Sequence, residues 1–109
     1  MNRGDIWWLK EDSARVGEAQ GTRPCIIVSN DVACRVMNRV QVVPLTRNVS
    51  RVYPGEALVM VGETPSKALA TQIQTVDKSR LLNRIGQVAS AEMVGVNRAL
   101  RTQLALGPW

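Results

Sequence analysis

The chain has 109 residues, 14 Lys+Arg against 9 Asp+Glu, and no histidine. That length specifies one domain, residues 1–109, with a single modest core, and the missing histidine removes the commonest acid–base group. Any chemistry therefore falls to arginine, hydroxyls, carboxylates or the thiols of Cys25 and Cys34. Eleven of the fourteen basic residues are Arg, whose planar fork suits phosphate, so the +5 charge points to a polyanionic partner or to plain solubility charge.

In chain order, Asp5 to Lys10 reads as a first strand, with aromatic and β-branched content. Residues 11–21 are polar, carry two Gly and have no helical period, which predicts a long, mobile loop of the kind often used for function. Thr22 to Ser29 is a continuous apolar strand, buried on both faces. Ser29-Asn30-Asp31 has turn or cap chemistry, and 31–36 fits one helical turn. Val40 to Thr46 is a third strand, in which Pro44 predicts a bulge or an edge. A polar, basic loop follows over 47–55. Glu56 to Val61 is a fourth strand ending at Gly62.

Lys67 to Val76 alternates, with Ala68, Ala70, Gln72 and Gln74 on one side and Leu69, Thr71, Ile73 and Thr75 on the other. That period predicts one strand with a half-polar face. Asp77 caps a turn through Leu82, and Ile85 to Val88 is the last strand. Ser90 is the expected cap of a C-terminal helix, with Glu92 near its positive end. Met93, Val96, Leu100 and Leu104 form the stripe that packs on the sheet, and Arg98 and Arg101 fall on the outer side. Five or six short strands and one helix make a mainly β fold, a small, strongly bent, barrel-like antiparallel sheet.

Two Cys make no disulfide framework. Cys25 reads as a small buried hydrophobe, and Cys34 lies in a loop or short helix. Without His or a Cys-x-x-Cys pair, no zinc site is expected, and the composition calls for neither metal nor cofactor. No apolar stretch approaches the ~18 residues of a membrane-spanning helix, and the N-terminus lacks the apolar core of a signal peptide. These features predict a reduced, cytoplasmic setting.

The most telling pattern is a pair of segments, Gly17-Glu18-Ala19-Gln20-Gly21-Thr22-Arg23-Pro24 and Val42-Val43-Pro44-Leu45-Thr46. Each sets a polar residue, Arg23 or Thr46, where a strand meets a loop, and an arginine and a hydroxyl at neighbouring strand ends can grip a phosphate. Taken with Arg3-Gly4-Asp5-Ile6-Trp7, Val28-Ser29-Asn30-Asp31, Val52-Tyr53-Pro54, Gln72-Ile73-x-Thr75-Val76-Asp77-Lys78-x-Arg80-Leu81 and Ile85-Gly86, this ordered set resembles the MazF/PemK (Kid) toxins over nearly the whole chain. The resemblance implies an SH3-like barrel of the CcdB/PemK type that pairs into a homodimer. It implies a metal-independent endoribonuclease that cuts single-stranded RNA at short sequences. It also implies a cognate antitoxin whose acidic, flexible segment occupies the RNA groove.

Under that resemblance Arg23 is the electrostatic stabiliser of the phosphoryl oxygens and Thr46 donates a hydroxyl to the same phosphate. Glu18 accepts the 2′-hydroxyl proton, orients Arg23 or contacts a base, and no residue is assigned as general acid. Some relatives carry an Arg and an Asp where this chain has Leu69 and Thr71, so an acid–base pair there does not transfer. The expected RNA-binding residues are Gln20 and Gly21 in the first loop, Arg47, Asn48 and Arg51 after Thr46, and Thr71 and Gln72 for base edges. For Trp7 and Trp8, core or dimer contact is favoured over base stacking. Two other readings remain: a gyrase-binding toxin of the CcdB type, which uses a C-terminal Trp such as Trp109, and a plain RNA-binding barrel.

Overall fold

The computed structural model describes residues 1–11 and 21–107. Its strands are β1 (Asp5–Lys10), β2 (Thr22–Ile27), β3 (Arg39–Thr46), β4 (Glu56–Val61), β5 (Thr64–Leu69), β6 (Gln74–Asp77) and β7 (Leu81–Gln87). Helix α1 (Asp31–Val36) joins β2 to β3, and α2 (Ser90–Leu104) closes the fold. The strands form a curled antiparallel sheet in the order β4-β5-β3-β2-β1-β7, with β6 also paired to β3. This is the expected mainly β half-barrel with one C-terminal helix.

The curl follows from β3. Its first half pairs with β6, Val42 opposite Gln74, and its last two residues pair with β5, Thr46 opposite Lys67. Val43 and Pro44 lie between the two partners on that side. Val28 N–H donates to the Gln41 carbonyl at 3.0 Å, so by alternation the nitrogens of Gln41, Val43 and Leu45 face β2 and that of Pro44 faces the gap. A residue without an N–H is tolerated there, in a central strand, because no ladder bond is due. Pro44 is thus neither at an edge nor in a bulge of β3 against β2.

The predicted Lys67–Val76 strand is broken for the same reason. β5 ends at Leu69, a 3-10 turn spans Ala70–Gln72, and β6 restarts at Gln74 against the other half of β3. Ala68, Leu69 and Ala70 are all buried in succession, so the half-polar face is lost where the chain turns. β5 also begins earlier than expected, after a two-residue hairpin loop in which Gly62, at φ 60°, supplies the left-handed backbone. β7 takes in Leu81 and Leu82, which the sequence had in a turn.

Two apolar cores sit on opposite sides of the sheet. Ile6, Ile26, Val43, Val59 and Val88 pack with Val96, Ala99 and Leu100 of α2. Leu9, Cys25, Ile27, Val40, Val42 and Val76 pack with Cys34 of α1. β2 feeds both, as its unbroken apolar run predicts. A fully buried Ile contributes roughly 1.5–3 kcal/mol, so Ile26 and Ile27, both at 0 % exposure, fix the strand whose other end carries Arg23.

The start of α1 follows expectation and that of α2 does not. Asn30 caps α1, its Oδ1 accepting from Ala33 N at 2.9 Å. At α2, Ala89 occupies the cap position with no side-chain bond, and Ser90 is already helical. Glu92 instead accepts from Met60 N at 3.0 Å, tying the first turn to β4. Val96 and Leu100 are buried, while Leu104, the last residue of α2, is exposed. Arg98 is exposed but engaged, donating to the carbonyls of Pro54 (3.0 Å) and Glu56 (2.9 Å). Arg101 is half-buried. No helix among the described residues is long and apolar enough to cross a membrane.

Candidate active site

Arg23 and Thr46 come from adjacent strands. β2 pairs with β3 with Cys25 opposite Pro44. Continuing that register by two residues sets Arg23 across from Thr46, on the side of the sheet that carries Cys25 and Pro44. Both residues lie at the open ends of strands whose inner halves are buried, so a rigid scaffold presents two polar side chains to solvent.

Arg23 lies opposite Leu9 of β1. Its Nε is 3.6 Å from Glu11 Oε1, and both side chains are about one-third exposed, at 34 % and 37 %. An ion pair that long and that wet contributes little, roughly 0–1 kcal/mol, and among the described residues no hydrogen bond engages the terminal guanidinium nitrogens. Glu11 was not singled out by the sequence reading; its N–H donates to the Gly21 carbonyl at 3.0 Å, which extends the β1–β2 ladder and brings it beside Arg23. Glu18 and Gln20, expected at this site, lie outside the described residues. Gly21 is exposed.

Thr46 Oγ1 accepts from Asn48 N at 3.2 Å. Among the described residues the hydroxyl proton has no acceptor, which leaves it a donor to offer. Asn48 Oδ1 in turn accepts from Ser50 Oγ at 2.9 Å, so the start of the loop is held by its own side chains. Arg47, Asn48 and Arg51 are all exposed. Thr71 and Gln72 are exposed on the 3-10 turn. They do not join Arg23; Thr71 packs at Gly55, where a Cβ would come within 2.7 Å of its Cγ2. Arg47, Asn48, Arg51 and Thr71 thus lie on or against one loop, from Arg47 to Gly55, while Gly21 lies apart, just before β2.

That loop is pinned from below by a pair that sequence reasoning missed. Lys67, opposite Thr46, donates from Nζ to the Arg51 carbonyl at 2.8 Å and lies 3.1 Å from Glu56 Oε1. Glu56 Oε1 also accepts from Tyr53 N at 2.9 Å. The Tyr53 N–H, then the Lys67 ammonium, hold the Glu56 carboxyl below the usual carboxylate range against the opposing effect of burial. The only signal in the sequence is a Lys directly before the apolar Ala68-Leu69-Ala70.

The thiols are no part of the site. Cys25 is wholly buried, and burial pushes its thiol up to about 12. Cys34 is raised as well, first by burial, so neither is a thiolate nucleophile near neutral pH. Among the described residues no three His, Cys, Asp or Glu side chains gather as they do around a metal ion.

The model of the PemK-like, MazF-like toxins of type II toxin–antitoxin systems matches residues 2–104. The chain belongs to this family. It is 39 % identical to endoribonuclease MazF9 of Mycobacterium tuberculosis, covering 97 % of this chain and 98 % of that protein. It is 28 % identical to endoribonuclease EndoA of Bacillus subtilis over 97 % and 96 %. Its fold matches a solved mycobacterial endoribonuclease in complex with its cognate antitoxin, with a TM-score of 0.81, 30 % identity and 100 % and 98 % coverage. Within this MazF-like frame Trp7 packs on the second core, as expected of at least one of the two tryptophans, whereas Trp8 joins neither core and lines a cleft instead.

Proposed function

We propose that the protein is a toxin that cleaves single-stranded RNA, mRNA above all, and is neutralised by a cognate antitoxin. Membership of the MazF-like family supports the activity, since the relatives are named endoribonucleases. The observation that supports the chemistry is the pairing of β2 with β3, Cys25 opposite Pro44, two residues inside the strand ends that carry Arg23 and Thr46.

RNA brings its own nucleophile. The 2′-oxygen attacks the neighbouring phosphorus, the bond to the 5′-oxygen breaks, and the products are a 2′,3′-cyclic phosphate and a 5′-hydroxyl. The protein has to orient the phosphate, stabilise charge on its non-bridging oxygens and manage two protons. The guanidinium of Arg23 matches the phosphate geometry, and the hydroxyl proton of Thr46 adds a donor. Glu18 is the proposed acceptor of the 2′-hydroxyl proton or the residue that orients the site. Arg23 itself keeps its proton at neutral pH, so its role is electrostatic. Gln20, Gly21, Arg47, Asn48 and Arg51 are the proposed contacts to the RNA backbone, and Thr71 and Gln72 to bases.

The partners follow from the same groove. An acidic, disordered antitoxin segment fits a basic path that also holds RNA. A two-fold dimer with its seam beside the Arg23 and Thr46 strand ends would join the loops of both copies into one path with two equivalent sites. Incubation of the purified protein with a long RNA in excess chelator tests the reading. Discrete cuts support it. Intact RNA together with gyrase inhibition, or intact RNA retained on the protein, would replace it with one of the two other readings.

A further inference from the structure

The strand ends that carry Arg23 and Thr46 have a second side. Alternation turns Thr22 and Pro24 to the opposite face from Arg23, and Arg47 to the opposite face from Thr46. On that face they line a cleft of about 440 Å³ together with Trp8, Thr64 and Ser66. The volume is within the ~300–1,000 Å³ of small-ligand sites. Trp8 lies directly across from Pro24 in the β1–β2 register and is half-buried, so its indole is neither packed away nor fully in water.

The polar groups of the cleft have capacity to spare. Ser66 is only 3 % exposed, and its hydroxyl reaches no closer than 3.4 Å to the Thr64 carbonyl. A bond that long is weak, and among the described residues nothing donates to the Ser66 oxygen. Arg47 is exposed and makes no ion pair among the described residues. An aromatic face, a cation and three hydroxyls are the groups that bind an unstacked base: a stacking platform, backbone attraction, and donors and acceptors for the base edge.

The geometry points to this cleft as the subsite for the base of one nucleotide flanking the scissile phosphate, with Trp8 as its stacking platform and Ser66 and Thr64 as readers of its edge. An RNA strand that lays its phosphate on Arg23 and Thr46 crosses the ends of β2 and β3. Its next base then drops over the far side of those ends, where Trp8 waits. The cleft thereby links the choice of cutting sequence to the position of the cut. This rests on the ribonuclease reading above, because it is the phosphate at Arg23 that brings the base to Trp8.

The test couples protein and substrate. A short RNA containing one mapped cutting site is made intact and with an abasic residue at each of the two nucleotides beside the cut. Wild type, Trp8→Ala and Trp8→Phe are compared by cleavage rate, and by Kd for the same RNAs with 2′-deoxyribose at the cut. Loss of one stacked base is expected to slow wild type about 10- to 100-fold. Trp8→Ala should show the same loss on intact RNA and no further loss on the abasic RNA, while Trp8→Phe keeps most of the rate. If Trp8→Ala fails to fold, Ser66→Ala should relax the base preference at that one position, read by mapping 5′ ends. A wild type that cuts but is indifferent to abasic residues on both sides overturns the cleft and leaves the nuclease reading intact. Coupling seen in Kd by a protein that cuts no RNA would keep the cleft and remove the nuclease.

Discussion

Replacement of Lys67 by Met removes the cation under the 47–55 loop while keeping the stem. Two groups then lose their partner: the Glu56 carboxylate, 3.1 Å away, and the Arg51 carbonyl, 2.8 Å away. The side chains of Lys67 and Glu56 are only 9 % and 11 % exposed, so water does not readily replace the ammonium. Breaking a buried pair from one side costs about 3–5 kcal/mol. Glu56 keeps its bond from Tyr53 N, which argues for the lower end, about 3 kcal/mol. Against a total stability of order 5–15 kcal/mol, Lys67→Met should fold but melt about 12 °C lower.

Urea denaturation of Lys67→Met, Glu56→Gln and the double variant gives the coupling directly. The double variant should cost less than the sum of the single ones, since neither partner is then left as a lone charge. The pH dependence has a definite sign. The Glu56 carboxyl is held low in the folded state, first by the Tyr53 N–H and then by Lys67. Its contribution is therefore complete above the unfolded carboxyl value, about 4.3, and is lost as pH falls through the lower folded value. Acid should erase part of the difference between wild type and Lys67→Met. A loss below about 1 kcal/mol at pH 7, on the scale of a surface pair, would refute the reasoning.

Arg23→Ala and Thr46→Ala should each lose roughly 100-fold or more in cleavage rate with an unchanged melt, and Arg23→Lys should recover little because a point charge does not replace the fork. Cys25 should resist a thiol reagent in the native protein. With its thiol raised to about 12, the folded state keeps a proton that the unfolded state releases above about 9, so stability should fall by about 1.4 kcal/mol per pH unit across that window relative to Cys25→Ala. RNA and an acidic antitoxin peptide should compete, and both affinities should weaken with salt; simultaneous binding at full affinity would separate their sites.

β1 and β4 are legible from the sequence because turn residues and strand content coincide at Asp5–Lys10 and Glu56–Val61. β2 is legible because an unbroken apolar run has to be buried on both faces. The 3-10 break at Ala70–Gln72 is hidden, since alternation continues on either side of it and only the change of partner along β3 reveals it. The α2 cap misleads because Ser90 has the right chemistry one residue too late. Arg23 and Thr46 are legible as polar residues at strand ends, and the structure places those ends on neighbouring strands, β2 and β3. Glu11, Lys67 and the Trp8 cleft are not legible. Each depends on which residues the curled sheet brings together across the chain, and no local pattern encodes that.

The central claim is that the RNA supplies its own nucleophile to a phosphate held by Arg23 and Thr46. One measurement tests it most directly: cleavage, in excess chelator, of a mapped RNA site with ribose or 2′-deoxyribose at the scissile nucleotide. The account predicts that the ribose substrate is cut to a 2′,3′-cyclic phosphate and a 5′-hydroxyl while the 2′-deoxy substrate stays intact. Cleavage of the 2′-deoxy substrate, or cleavage only after magnesium is restored, would contradict it.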